Sequence, residues 1–253
     1  MTICNATSNL LGEKRYRQIS EDILKYHNLF YGGGNMLNSN NSYSTLSTGN
    51  EVLDEMLNGG YAIGKLTEIS GPTDTGKTLL ALKAIKELQN RNNNKLTVYI
   101  DASRSFKLEY TEEHDLDTDG IILIQPESIE KLVVMLAEVV KPCIDDVGLI
   151  VIDSLADLTT NKEQESTLIT NTDRHRSIVI KALLTRIANL VRNSETCAII
   201  LNQDRTNFED EVANTVSSSE RWIKMTCDAR LRLSLDEEGD PCVEVSFKNK
   251  LTK

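Results

Sequence analysis

Between Leu66 and Leu82 the chain reads L-T-E-I-S-G-P-T-D-T-G-K-T-L-L-A-L, and Gly71-Pro72-Thr73-Asp74-Thr75-Gly76-Lys77-Thr78 within it fits G-x-x-x-x-G-K-[ST]. That spacing suits one task, holding a phosphate chain. Successive backbone N–H groups and a helix N-terminus must converge on the anion, and a side chain over the loop would block them. Two glycines therefore bound the loop. Lys77 supplies a point charge for β- and γ-phosphates, and the Thr78 hydroxyl is placed to ligate Mg²⁺. Pro72, Thr73, Asp74, Thr75 and Leu79 complete the predicted nucleotide-contacting turn. The flanks agree, with apolar L-T-E-I-S before the loop and L-L-A-L-K-A-I-K-E-L after it, as a strand–loop–helix unit requires.

A second element follows at Leu149-Ile150-Val151-Ile152-Asp153, where apolar residues bury a strand and one carboxylate at its tip faces a metal. Many buried strands end in Asp. Following a phosphate loop, however, Asp153 reads as the partner of Thr78 around Mg²⁺.

These residues need a scaffold, and length and composition allow one. A chain of 253 residues, 40% hydrophobic, can bury one sizeable core. Lys plus Arg 28 against Asp plus Glu 38 gives −10, which argues against a wholesale basic nucleic-acid coat but leaves room for a local basic groove. The cysteines Cys4, Cys143, Cys197, Cys227 and Cys242 lack C-x-x-C spacing, so neither a zinc site nor a disulfide framework is indicated. The N-terminus carries no basic-then-apolar signal pattern, and no apolar run approaches the ~20 residues that span a bilayer. A cytoplasmic protein without membrane partners is expected.

In chain order, residues 1 to 12 are small and polar. Ile19, Ile23, Leu24, Tyr26, Leu29 and Phe30 have helical spacing up to Gly32-Gly33-Gly34, and Asn38 to Ser44 reads as a linker. That amphipathic helix must dock either on its own core or on a neighbouring subunit. Residues 1–46 are accordingly set apart from a core at 47–253. Val52, Leu53, Met56 and Leu57 share one helical face, and the apolar runs 96–102, 121–125, 148–155 and 197–203 suit buried parallel strands, with helices at 77 onward, 128–140 and 177–191. Polar stretches fall at 159–176 and 204–221. The end alternates apolar and polar about a turn at Asp236 to Asp240, a β-hairpin. Strands alternating with helices predict an α/β fold, a mostly parallel twisted sheet covered on both faces, with ligands at the C-terminal strand ends. Gly71, Asp101, Asp153 and Gln203 all fall at such ends.

From about Glu21 to its last residue the chain resembles the bacterial RecA family of ATP-dependent DNA strand-exchange proteins. The matching stretches are LKYHNLFYGGGNML, LSTGNEVLDEMLNGGYAIGKLTEISGPTDTGKTLLAL, VYIDA, QPESIEKL, GLIVIDSLADLT, SETCAIILNQDR and VSFKNK, in the family's order. The resemblance implies a RecA-type P-loop NTPase core, ATP and Mg²⁺ between subunits, helical filaments on single-stranded DNA, and an N-terminal helix and strand packed on the adjacent subunit. Head-to-tail interfaces of this kind give open filaments. By the same resemblance Gln203 senses the γ-phosphate, Arg205 keeps the family's nearby basic residue, Tyr110 stacks on adenine, and Lys248 and Lys250 reach the neighbouring subunit's ATP.

Departures from the family bear on activity. Its general base is the Glu of D-A-E-H, whereas here Asp101-Ala102-Ser103-Arg104 puts Ser103 at that position, and a neutral hydroxyl cannot take a proton from attacking water near neutral pH. A weakly hydrolysing DNA-dependent ATPase is the expectation. In the second polar stretch the family's Gly-Gly is replaced near Ser219-Glu220, and the aromatic that enters the adjacent subunit corresponds to Met225. Arg221, Trp222 and Lys224 offer a stacking face and phosphate charges, and Arg174, His175 and Arg176 form a further basic cluster. The chain ends just past F-K-N-K, so the family's C-terminal domain, which helps gather duplex DNA, is not expected. Two functions follow: a shortened recombination and repair protein that assembles on single-stranded DNA, or a hydrolysis-deficient modifier of another RecA-type recombinase's filament. A hexameric helicase motor fits less well, because nothing encodes its extra domains.

Overall fold

A computed structural model describes residues 44–91, 94–165, 173–203, 218–235 and 241–247. The N-terminal helix expected near 14–30, the linker, most of the second polar stretch including Arg205, the hairpin turn, Lys248 and Lys250 lie outside the described residues.

Seven strands form one sheet: β3 (Leu66–Gly71), β4 (Leu96–Asp101), β5 (Ile121–Ile124), β6 (Val147–Asp153), β7 (Cys197–Gln203), β8 (Ala229–Leu235) and β9 (Pro241–Phe247), in the order β5-β4-β6-β7-β3-β8-β9. All neighbours are parallel except β8 and β9, which pair antiparallel as the expected hairpin. Two short strands, β1 (Thr45–Leu46) and β2 (Tyr61–Ala62), pair antiparallel beside it, and sequence patterning misses both. Leu46, assigned from sequence to the N-terminal segment, is fully buried against the core.

The central strands are buried on both faces, which is why they read as continuous apolar runs. Alternate residues serve different layers. Ile69, Tyr99, Leu149, Val151, Ile199 and Leu201 pack beneath α1 (Glu51–Met56) and α2 (Lys77–Asn90). Leu66, Val98, Ile100, Ile150, Ile152 and Ile200 face the other way, toward α4 (Ile129–Met135), α6 (Asp173–Arg192) and α7 (Ser218–Thr226). Each fully buried Leu or Ile contributes about 1.5–3 kcal/mol relative to an exposed one.

Capping explains several boundaries. The Asn50 side chain accepts from the amides of Val52 and Leu53 to open α1, and Ser128 accepts from Lys131 N to open α4. The 128–140 helix is realised, although its second half, Leu136–Val140, widens to π winding before a tight segment at Lys141–Asp146. Three short helices escape the sequence reading: α3 (Leu108–Glu113), α5 (Asn161–Glu165) and α7. α5 corrects part of the first polar stretch, and α7 replaces the end of the second. Helices this short owe their existence to tertiary packing rather than to propensity.

One charged pair is built into the sheet. Glu68, fully buried on β3, accepts from Asn202 Nδ2 on β7 at 3.0 Å and pairs with Arg230 on β8, tying three adjacent strands together just before the turn at 71–76. Losing one partner of such a pair costs more than the pair itself contributes.

Candidate functional site: a glycine-bounded loop at the C-terminal rim of the sheet

Register places the predicted residues on one rim. Gly71 pairs with Gln203 across β3 and β7, and Asp101 pairs with Asp153 across β4 and β6, so all four stand at the C-terminal ends of parallel strands. This is the edge on which open α/β sheets bind ligands.

The loop from Gly71 to Gly76 turns β3 into α2. At Gly71, φ is +151° and an added Cβ would stand 2.4 Å from the carbonyl oxygen of Leu233 on β8, so no side chain fits. Gly76 takes φ +89°, left-handed, as the N-cap of α2. No side chain caps this helix, and its first turn holds no acid, which leaves a positive amide end for an anion. Thr75 donates to Pro72 O at 2.8 Å and closes the loop on itself. Lys77 Nζ lies on the carbonyls of Gly71 (3.0 Å) and Pro72 (2.5 Å). Gln203 Nε2 donates to Thr73 Oγ1 at 2.6 Å, which joins the end of β7 directly to the loop.

Beside the loop, Thr78 Oγ1 donates to Asp153 Oδ2 at 3.0 Å. The hydroxyl of Tyr99 donates to the same oxygen at 2.6 Å. Burial pushes the Asp153 carboxyl above the usual range, opposed by these two hydrogen bonds. Burial also pushes the Tyr99 phenol far up, so it stays protonated and a donor. A hydroxyl and a carboxylate together at the head of an uncapped helix, with an ammonium beside them, are the donor set a magnesium–triphosphate requires. The residues present fit that group.

Asp101 does something else. Nearly fully buried, its carboxylate accepts from the amides of Ser105 and Phe106, both at 3.1 Å, and from Gln125 Nε2 at 3.0 Å, so it folds the loop after β4. Ser103 lies within that loop, its hydroxyl shared with Ser105 Oγ at 2.6 Å and Asp101 Oδ1 at 3.3 Å. Tyr110 follows on α3, edge-on to Phe106, whose ring in turn meets Tyr99 at 4.7 Å. A polar groove of about 380 Å³ opens on this rim between Ala102, Arg104, Pro126, Glu127, Asp157 and Thr159.

The basic residues expected to meet phosphates divide. Arg176 turns inward: it donates to Leu158 O (2.6 Å) and Ala156 O (3.2 Å) and pairs with Glu163 at 3.1 Å. It thus braces the segment after β6. His175 lies 3.2 Å from Glu130, and Lys224 is paired with Glu220 at 2.7 Å. Trp222 is half-buried between α6 and α7, with its indole N–H on Ser177 Oγ at 2.9 Å and Lys181 Nζ 4.2 Å from the ring centroid, so it serves the helix contact. Arg174, Arg221 and Met225 are exposed. Tyr99, Gln125 and the Glu68–Arg230 pair were missed from sequence; only the Tyr in V-Y-I-D-A, polar on an apolar strand, offered a signal.

A mostly parallel sheet of this strand order, layered by helices on both faces and carrying its polar residues on one rim, defines the RecA-type α/β core. The RecA N-terminal domain model matches residues 18–233, and the chain belongs to that family. It is 30% identical over 248 residues to Protein RecA of Phytoplasma mali, covering 93% of this chain and 72% of that protein. It is 31% identical over 220 residues to Protein RecA of Mycoplasma pneumoniae, covering 84% of this chain and 63% of that one. A crystal structure of the RadB recombinase superposes with a TM-score of 0.60 at 23% identity, covering 83% of this chain and 92% of that chain, a likeness of fold. Among the described residues no helix is long and apolar enough to cross a membrane.

Proposed function

We propose that the protein binds ATP with Mg²⁺ at the Gly71–Thr78 turn and, so loaded, assembles as a filament on single-stranded DNA in homologous recombination and repair. The observation that carries the reading is the meeting of Thr78 Oγ1 and Asp153 Oδ2 at 3.0 Å at the head of an uncapped helix. Family membership supports the recombination role, and a cytoplasmic setting goes with it. In this reading the loop amides and Lys77 hold the β- and γ-phosphates, Thr78 and Asp153 hold the cation, and Tyr110 covers the base. A Mg²⁺ held by Thr78 and Asp153 would neutralise charge on the phosphates. Gln203, tied to Thr73 at 2.6 Å, carries loop occupancy to the segment that follows it, where Arg205 belongs. Lys248 and Lys250 reach a neighbouring protomer's nucleotide, while Arg174 and Arg221 meet DNA phosphates. ATP should raise the anisotropy of a labelled single-stranded oligonucleotide at low salt; an unchanged signal sinks the proposal.

Ser103 favours a second reading, a modifier of another RecA-type recombinase's filament in which ATP serves as a structural switch. Its hydroxyl is engaged with Ser105 and Asp101 and supplies no base. Robust DNA-stimulated phosphate release would exclude this alternative.

A further inference from the structure

We infer that Tyr99 is a positioning residue for the metal acid, its hydroxyl setting the orientation in which Asp153 meets the cation; the inference rests on the nucleotide reading above. Tyr99 sits in the middle of β4 with 1% of its surface exposed. Its neighbour across the sheet is Val151, two residues before Asp153, so the phenol runs along β6 and ends at the carboxylate. Packing accounts for the ring, which fills the α2 face of the core beside Phe106. Packing does not account for the hydroxyl. A phenylalanine would occupy almost the same volume, and a hydroxyl in this core costs free energy unless it finds an acceptor. It finds Asp153 Oδ2 at 2.6 Å, the oxygen that also accepts from Thr78 at 3.0 Å.

Two donors on one oxygen fix the rotation of the carboxylate. They differ in what a cation does to them. Thr78 would give its oxygen to the cation and exchange its hydrogen bond, whereas Tyr99 donates from within the core, where the residue is 1% exposed. The phenol is therefore the fixed reference that keeps Asp153 aimed when the site fills. It is itself held by Phe106, whose amide is bonded to Asp101 Oδ2 at 3.1 Å. Outer-shell donors of this kind are commonly worth 10–100-fold in metal affinity.

The test uses the full chain and a ribose-labelled fluorescent ATP analogue, titrated with MgCl₂. Tyr99→Phe should raise the Mg²⁺ concentration at half-maximal binding about tenfold, leaving binding in EDTA within about twofold of wild type. Tyr99→Met, equally without a donor, stands in if the first variant does not fold. Ile85→Val, in the same buried layer, is the packing control: it should lower the melting temperature without moving the Mg²⁺ midpoint. An unchanged midpoint in Tyr99→Phe overturns the inference, as does an equal shift in Ile85→Val. Should wild type bind the analogue without any Mg²⁺ dependence, the metal reading beneath it fails instead.

Discussion

Lys77 and Arg176 are both cations that open long helices next to loops on the same sheet, and both donate to backbone carbonyls, yet the two regions are built for opposite ends. Around Lys77 the donors and acceptors gather at a loop kept bare by Gly71 and Gly76, and the ammonium rests on carbonyls of the loop itself, the place where a phosphate would draw it away. Arg176 is closed in, its side chain 16% exposed, with carbonyls of Leu158 and Ala156 on one side and the Glu163 carboxylate on the other. A charge at a loop can serve a ligand only where the backbone leaves room for one. The rest of that second region follows suit, since Lys224, Lys181 and Trp222 are engaged with Glu220, with the indole and with Ser177.

The strongest perturbation tests whether Ser103 stands in place of a general base in the proposed nucleotide site. Ser103→Glu should raise ATP turnover by about 10²- to 10⁴-fold with nucleotide affinity unchanged, the usual worth of a positioned base. Steady-state phosphate release checks it; no rise means that another group serves as base or that the site is incomplete. Lys77→Ala should weaken ATP binding about a hundredfold, as expected for charge-assisted hydrogen bonds to phosphate, with little effect on the melting temperature. Isothermal titration reads this directly. Arg176→Ala should do the reverse, lowering stability by about 2 kcal/mol in urea unfolding because the carbonyls of Leu158 and Ala156 lose a donor and Glu163 loses its ionic partner, while DNA affinity per folded molecule stays level. If instead affinity falls and stability holds, Arg176 meets phosphate and the contrast collapses. The smallest effect belongs to Arg221→Ala: a few-fold weaker single-strand binding and a salt slope reduced by about one.

Much of the fold was legible because its signals are local. The turn at 71–78, the apolar strands and the C-terminal hairpin each need only neighbours in sequence to specify them, and their strand-end residues share one rim. The short helices 108–113, 161–165 and 218–226 were not legible, because six, five and nine residues fix too few hydrogen bonds to form without packing. Side-chain direction was equally hidden. A basic triplet at 174–176 announces charge, but that Arg176 turns inward depends on carbonyls 18 and 20 residues away.

The chain alone determined the glycine-bounded turn at 71–78 and the apolar runs of the seven-stranded sheet, since each follows from residue type and spacing along a backbone with few soft dihedrals, whereas the carboxylate expected at Ser103 came from the resemblance to the RecA family. Tertiary structure alone decided that Tyr99 reaches Asp153, that Glu68 is joined to Arg230 across the sheet, and that Gln203 touches Thr73. Those contacts span 54, 162 and 130 residues. Only strand order and register bring such partners within hydrogen-bond reach, and neither is written in any single stretch.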